Sequence, residues 1–150
     1  MARVALGSDH GGFQLKDEIS KYLHGQGFEI LDCGTNSTDS VDYPRFGFAV
    51  AQAVLNGQVD YGIVVCGTGQ GIAMSANKLS GIRAAVCSET YSARMAREHN
   101  NANILALGER IIGVGLALDI VDVFLHTDFA GGRHSKRLEL IAALERGEQI

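Results

Sequence analysis

A thiol, three glycines and a threonine share one short segment, Val65-Cys66-Gly67-Thr68-Gly69-Gln70-Gly71. Strand formers from Tyr61 to Val65 run into it and a helical pattern leaves it, so the spacing predicts a strand–loop–helix junction. Such a junction gathers bare backbone N–H groups beside a sulfur. It suits a phosphate, a developing enediolate oxygen, or the cysteine's own thiolate. A dinucleotide fingerprint fits less well. After Gly67-x-Gly69 its third glycine belongs at position 72, which is Ile72, and the loop follows the third strand rather than the first. Glu89, about 20 residues on, is the one feature that favours a ribose-binding site. A tight turn that needs positive φ angles explains the glycines with no ligand at all. Small-anion binding is the stronger of the ligand readings.

Cys66 itself reads either as a small buried hydrophobe or, as a thiolate held by the loop amides, as a nucleophile or general base. Residue type alone leaves both open. Cys33 and Cys87, also at strand ends, read as buried hydrophobes. Asp9-His10 stands in a glycine-rich turn directly after the first strand, where an Asx turn is the plain reading. His99-Asn100-Asn101 ends a helix, where a C-cap is the plain reading. Both pairs gain weight from an expected convergence on the Cys66 edge of the fold. Arg133 and Arg137 stand i,i+4, so they share a helix face. They make either a solvated pair or a two-guanidinium phosphate clamp. Arg83, Arg94, Arg97 and His134 receive no role, and His24 and His126 read as surface positions at helix ends.

The elements that must position these residues alternate along the whole chain. Apolar runs at 3–7, 28–32, 61–66, 83–87 and 104–107 predict five strands. Helical patterns cover about 13–24, 44–55, 71–78, 89–98 (with Ser88 as a candidate cap) and 114–125. A last helix follows Gly131, with Leu138, Ile141 and Leu144 as its expected buried stripe. Strands alternating with helices imply an α/β fold, a three-layer α/β/α arrangement around a doubly wound, five-stranded parallel sheet of Rossmann-like type. Ligands in such sheets bind beyond the carboxyl ends of the strands at the topological switch point. Ser8-Asp9-His10, Cys66 to Gly71, Cys87-Ser88-Glu89 and the end of the fifth strand should therefore line one edge.

Bulk properties narrow the function. One domain spanning 1–150 is expected, with 46% hydrophobic and 20% charged residues. A net charge of −4 with no Lys/Arg run argues against nucleic acid. No apolar stretch approaches the ~20 residues of a membrane span, and residues 1–7 are too short for a signal peptide. Three widely spaced cysteines argue against a disulfide framework and for a reducing compartment, hence the cytoplasm. The lack of Cys-x-x-Cys or His-x-x-x-His spacing makes a structural zinc improbable.

Seven motifs stand in order along this chain: Gly7-Ser8-Asp9-His10-Gly11-Gly12, Asp42-Tyr43-Pro44, Cys66-Gly67-Thr68-Gly69-x-Gly71, Ala76-Asn77-Lys78, Gly81-Ile82-Arg83-Ala84, Arg97-Glu98-His99-Asn100 and Gly131-Gly132-Arg133-His134. Together they closely resemble the type B ribose-5-phosphate isomerases, in the sugar-phosphate isomerase family that also holds the galactose-6-phosphate and allose-6-phosphate isomerases. The resemblance runs from Val4 to about Leu144. It implies an aldose–ketose isomerase needing no cofactor and no metal, with ribose 5-phosphate and ribulose 5-phosphate as substrates. In that family Cys66 matches the base that moves a proton between C2 and C1. Thr68 and the amides of Gly67, Gly69 and Gly71 match the hole for the enediolate oxygens. His99 matches the group that opens the furanose ring, with Thr68 and Asp9 nearby. His10, Arg133 and Arg137 match phosphate contacts, Asn100 and Arg110 help shape the substrate site, and Tyr43 matches its wall. The family's site combines residues of two chains, which implies a homodimer or a dimer of dimers. One family branch replaces the cysteine with a glutamate just after the glycine loop; Ile72 there, with Cys66 present, resembles the cysteine branch. Two alternatives stay beside this reading: an isomerase of a six-carbon sugar phosphate, and a non-catalytic sugar-phosphate or nucleotide-binding module.

Overall fold

A computed structural model describes residues 2–150. Five strands, β1 (Arg3–Ser8), β2 (Glu29–Asp32), β3 (Tyr61–Cys66), β4 (Ala84–Val86) and β5 (Ile104–Gly108), alternate with α1 (Phe13–Gly25), α2 (Tyr43–Leu55), α3 (Gln70–Ala76), α4 (Thr90–Glu98) and α5 (Val114–His126). A final helix, α6 (Arg133–Glu145), follows. All pairings are parallel, in the order β2-β1-β3-β5-β4. The chain steps outward from β1 to β2 and then returns to the other side at β3. The switch point therefore lies between β1 and β3, where the first and third loops open.

The three-layer expectation holds, and the side-chain period of two shows how the layers are made. Val4, Leu6, Ile63, Val65, Leu105 and Leu107 pack with Leu15 and Ile19 of α1, Ala93 of α4 and Ile120 and Phe124 of α5. The intervening Ala5, Val64, Cys66, Ile104 and Ala106 pack with Val50 and Ala51 of α2 and Ile72 and Ala73 of α3. Central strands covered on both faces carry no polar alternation, which is why β1, β3 and β5 read as apolar runs. Register puts Ser8 beside Val65 and Cys66 beside Gly108, so three strand ends finish together.

Two expectations need correction. Helix α4 is capped by Glu89, whose carboxylate accepts from the Ser92 N–H at 2.9 and 3.0 Å, and not by Ser88. Helix α6 has no buried residue within one chain. Its supposed inner stripe is open, with Ile141 40% and Leu144 54% exposed. Among the described residues, no helix is long and apolar enough to cross a membrane.

Candidate active site

The loop after β3 is shaped by close approach. Gly69 has φ +80°, and a Cβ there would stand 3.0 Å from the Leu107 carbonyl carbon, so only glycine fits without strain. The turn brings the Gly69 N–H to 3.1 Å from Cys66 Sγ. The sulfur is thus the acceptor of a backbone hydrogen bond while 5% exposed. Backbone bonds from Glu109 N to the Cys66 carbonyl and from Arg110 N to the Gly67 carbonyl, each 3.0 Å, dock the loop on the end of β5. Arg110 then lies over Gly67, where a Cβ would meet its Nη1 at 3.0 Å. Tyr43 lies against Gly71 in the same way, 2.6 Å from where a Cβ would stand. Thr68 is exposed at the loop's tip and its Oγ1 accepts from Gln70 N at 3.2 Å.

The loop after β1 meets this one across the switch point. Asp9 N donates to the Val65 carbonyl at 3.3 Å, and Asp9 Oδ1 accepts from Gly11 N at 2.9 Å. The Asx turn expected there is present, and it also seats a carboxylate 8% exposed beside the Cys66 loop. His10 Nδ1 accepts from Val41 N at 3.1 Å, which leaves Nε2 as the donor nitrogen. Glu109 escaped the sequence reading. Its Oε1 accepts from Leu15 N at 2.7 Å, supplying helix α1 with the side-chain cap that Gly12 cannot. No local spacing announces a cap 94 residues away in sequence.

Cys66, Thr68, Gly67, Gly69, Gly71, Asp9, His10, Tyr43 and Arg110 therefore gather at the carboxyl edge. His99 does not join them, and the expected convergence of the His99-Asn100-Asn101 segment is corrected here. Helix α4 follows β4 and runs back against the strands, so its end lies at their starts. The Asn100 and Asn101 carbonyls accept from Arg83 just before β4, and the Asn103 carbonyl accepts from Gly62 N at the start of β3. A six-residue strand at ~3.3 Å per residue puts the two edges close to 20 Å apart. Helix α6 belongs to the same amino-terminal edge. Ala130 N donates to the Glu98 carbonyl at 2.9 Å, and Glu145 at the far end accepts from Ser80 Oγ and Gly81 N.

At that edge the His99 and His134 rings stack, centroids 4.2 Å apart and 14° from parallel. Partial burial, His99, Arg133 and Arg137 all hold the His134 imidazole below its ordinary pKa. A cationic field is concentrated there, suited to an anion, and His134 receives no role from the sequence because nothing in the Gly131-Gly132-Arg133-His134 motif announces a ring stacked on His99. One chain thus holds a thiol–amide cluster on one edge and a histidine–arginine cluster on the other. The cavity of about 550 Å³ lined by Phe13, Leu15, Glu109, Ile112 and Val114 coincides with neither.

The profile of the Ribose/Galactose Isomerase family matches residues 4–141. The chain is 51% identical over 146 residues to ribose-5-phosphate isomerase B of Escherichia coli, covering 97% of this chain and 98% of that one. It is 39% identical to a D-erythrulose-4-phosphate isomerase of Pectobacterium atrosepticum, with 99% of each covered. Among solved structures, ribose-5-phosphate isomerase B of Clostridium thermocellum superposes with a TM-score of 0.96 at 56% identity, covering 97% of this chain and 98% of that one.

Proposed function

The chain belongs to the ribose/galactose isomerase family and is a sugar-phosphate isomerase, and from that premise we propose that it interconverts ribose 5-phosphate and ribulose 5-phosphate through an enediolate formed at Cys66. The observation that carries this reading is the Gly69 N–H directed at Cys66 Sγ inside a glycine-rich loop. A proton on carbon beside a carbonyl is weakly acidic, and its removal builds charge on the carbonyl oxygen. The site must pair a base with donors already in place around that oxygen. Cys66 takes the proton from C2 and returns it to C1, while the hydroxyl proton leaves O2 and reaches O1 by way of the Thr68 hydroxyl, so the reaction balances with no other reactant. Thr68 and the amides of Gly67 and Gly71 hold the enediolate oxygens, while the Gly69 N–H stays on the sulfur. Asp9 sits beside them, Tyr43 forms the wall, and Arg110 closes over Gly67.

The substrate's ring and phosphate go to the other cluster. His99 opens the furanose, Arg133 and Arg137 grip the phosphate with His10, and Asn100 shapes the rim. The two clusters lie on opposite edges of one chain, so the site is assembled from two copies. Exposed Leu140, Ile141 and Leu144 on α6 supply an apolar face for that homodimer, or for a dimer of dimers. Binding energy from the phosphate end then positions C1 and C2 at the sulfur. Three unpaired cysteines accord with a cytoplasmic place in pentose phosphate metabolism.

Turnover of ribose 5-phosphate by wild type and Cys66→Ala, with a chelator present, tests the reading. Cys66→Ala should lose at least ~100-fold in kcat while binding substrate nearly as well, and Arg137→Ala should mainly raise KM. Near-normal kcat in Cys66→Ala would remove the base from the account. The Pectobacterium relative favours testing a second substrate size. Allose 6-phosphate and erythrulose 4-phosphate belong in the same assay, and faster turnover of either would overturn the pentose assignment.

A further inference from the structure

Arg97 is 5% exposed, yet none of the ion pairs among the described residues involves it. Its guanidinium is held by neutral acceptors. Nη1 donates to Asn101 Oδ1 at 2.9 Å and to the Ala102 carbonyl at 2.6 Å, Nε to the Thr127 carbonyl at 3.2 Å, and Nη2 to the Tyr61 hydroxyl at 3.2 Å. The Tyr61 ring lies 4.8 Å from Cζ and the Phe124 ring 5.7 Å. Removing a charge from water is costly, and an apolar side chain of similar volume would fill the same space. What a methionine could not do is tie three segments together. The fork joins the turn after α4, the end of α5 and the start of β3.

We propose that Arg97 is a positioning residue for ring opening, acting by locking the turn that aims His99. The inference rests on the reading of His99 given above. His99 is two residues from Arg97, inside the segment whose end the guanidinium holds. Asn101 is the only non-glycine residue with positive φ among the described residues, at 46°. Such a conformation is strained for most side chains and persists when its surroundings enforce it. Two of the contacts that enforce it come from Arg97: its carbonyl accepts from Asn101 N at 3.1 Å, and its Nη1 holds Asn101 Oδ1, while Arg83 holds the Asn101 carbonyl. The Thr127 bond and the Ala130–Glu98 bond fix the neighbouring chain that carries His134 onto the His99 ring. A five-donor planar fork can serve these acceptors at once, and a lysine cannot.

Steady-state kinetics on ribose 5-phosphate with Arg97→Lys, His99→Asn and the double variant test the proposal. Arg97→Lys should lower kcat about tenfold or more while KM stays within about threefold, because the phosphate contacts are untouched. The double variant should be no slower than His99→Asn alone, since Arg97 acts through that imidazole. A loss that multiplies in the double variant, a KM rise in place of a kcat fall, or wild-type kcat in Arg97→Lys beside a crippled His99→Asn overturns the proposal alone. Wild-type kcat in His99→Asn sinks the ring-opening reading and this inference with it. Should Arg97→Lys fail to fold, Asn101→Gly answers the same question. Glycine accepts φ 46° freely but removes the Oδ1 anchor, so kcat should fall several-fold (roughly 3 to 10) without adding to His99→Asn. Unchanged kcat there contradicts the proposal.

Discussion

Cys66 and Cys87 end adjacent regions of one sheet and are nearly equally buried, yet their sulfurs are used in opposite ways. Cys66 Sγ accepts from an N–H at 3.1 Å. Cys87 Sγ faces the Ala85 carbonyl at 3.9 Å as a weak donor. Burial, with the Glu89 charge behind it, pushes the Cys87 thiol up to about 11. An accepting sulfur suits a base, and a donating one suits a structural thiol. The neutral thiol is favoured in the folded protein, so its contribution is complete below about pH 9 and disappears as pH rises through about 11. Denaturant titrations from pH 8 to 11 should show wild type losing about 2 kcal/mol more than Cys87→Ala across that range. Parallel losses in the two proteins would contradict the assignment. Residue type marked Cys66 as special because glycines follow it. It also placed Cys87 correctly as buried, whereas Cys33 is only half-buried, at the exposed end of edge strand β2.

At the scale of elements, the site depends on how closely α1 approaches β3. A Cβ on Gly12 would stand 2.4 Å from the Val65 carbonyl oxygen, a contact with rigid backbone that no rotamer relieves. Gly12→Ala must push the start of α1 away, and with it Asp9 and His10. Overpacking of this kind costs about 1–3 kcal/mol, which for a chain of this size lowers Tm by very roughly 3–10 °C. Calorimetry should show that fall, and kcat/KM on ribose 5-phosphate should drop with it; an unchanged Tm would mean the approach is looser than the geometry states. Most of this level was legible. Tyr61 to Cys66 is a strand because both faces are covered, and its apolar run stops where the glycines begin. The Glu109 cap was not legible, because it bridges elements far apart in sequence. The end of α4 could have been placed: a helix following a parallel strand must run back, so His99 could never lie beside Cys66 in its own chain.

The whole molecule turns that separation into a statement about assembly. Leu138, Ile141 and Leu144 repeat at helical spacing as a core stripe should, yet α6 buries none of them. Periodicity reports that a face is apolar and cannot say whose surface covers it. The histidine–arginine cluster stands beside that face, and the thiol–amide cluster stands on the opposite edge. In the proposed dimer a second copy would bring the two together. Cys66→Ala and His99→Asn should each be nearly inactive as homodimers. Refolded together in equal amounts, half of the dimers are mixed, and each mixed dimer holds one site with both groups intact. Turnover should recover to about a quarter of the wild-type value, with either parent alone remaining near zero. No recovery in a mixture shown by mass spectrometry to contain mixed dimers would contradict it, placing Cys66 and His99 in separate functions.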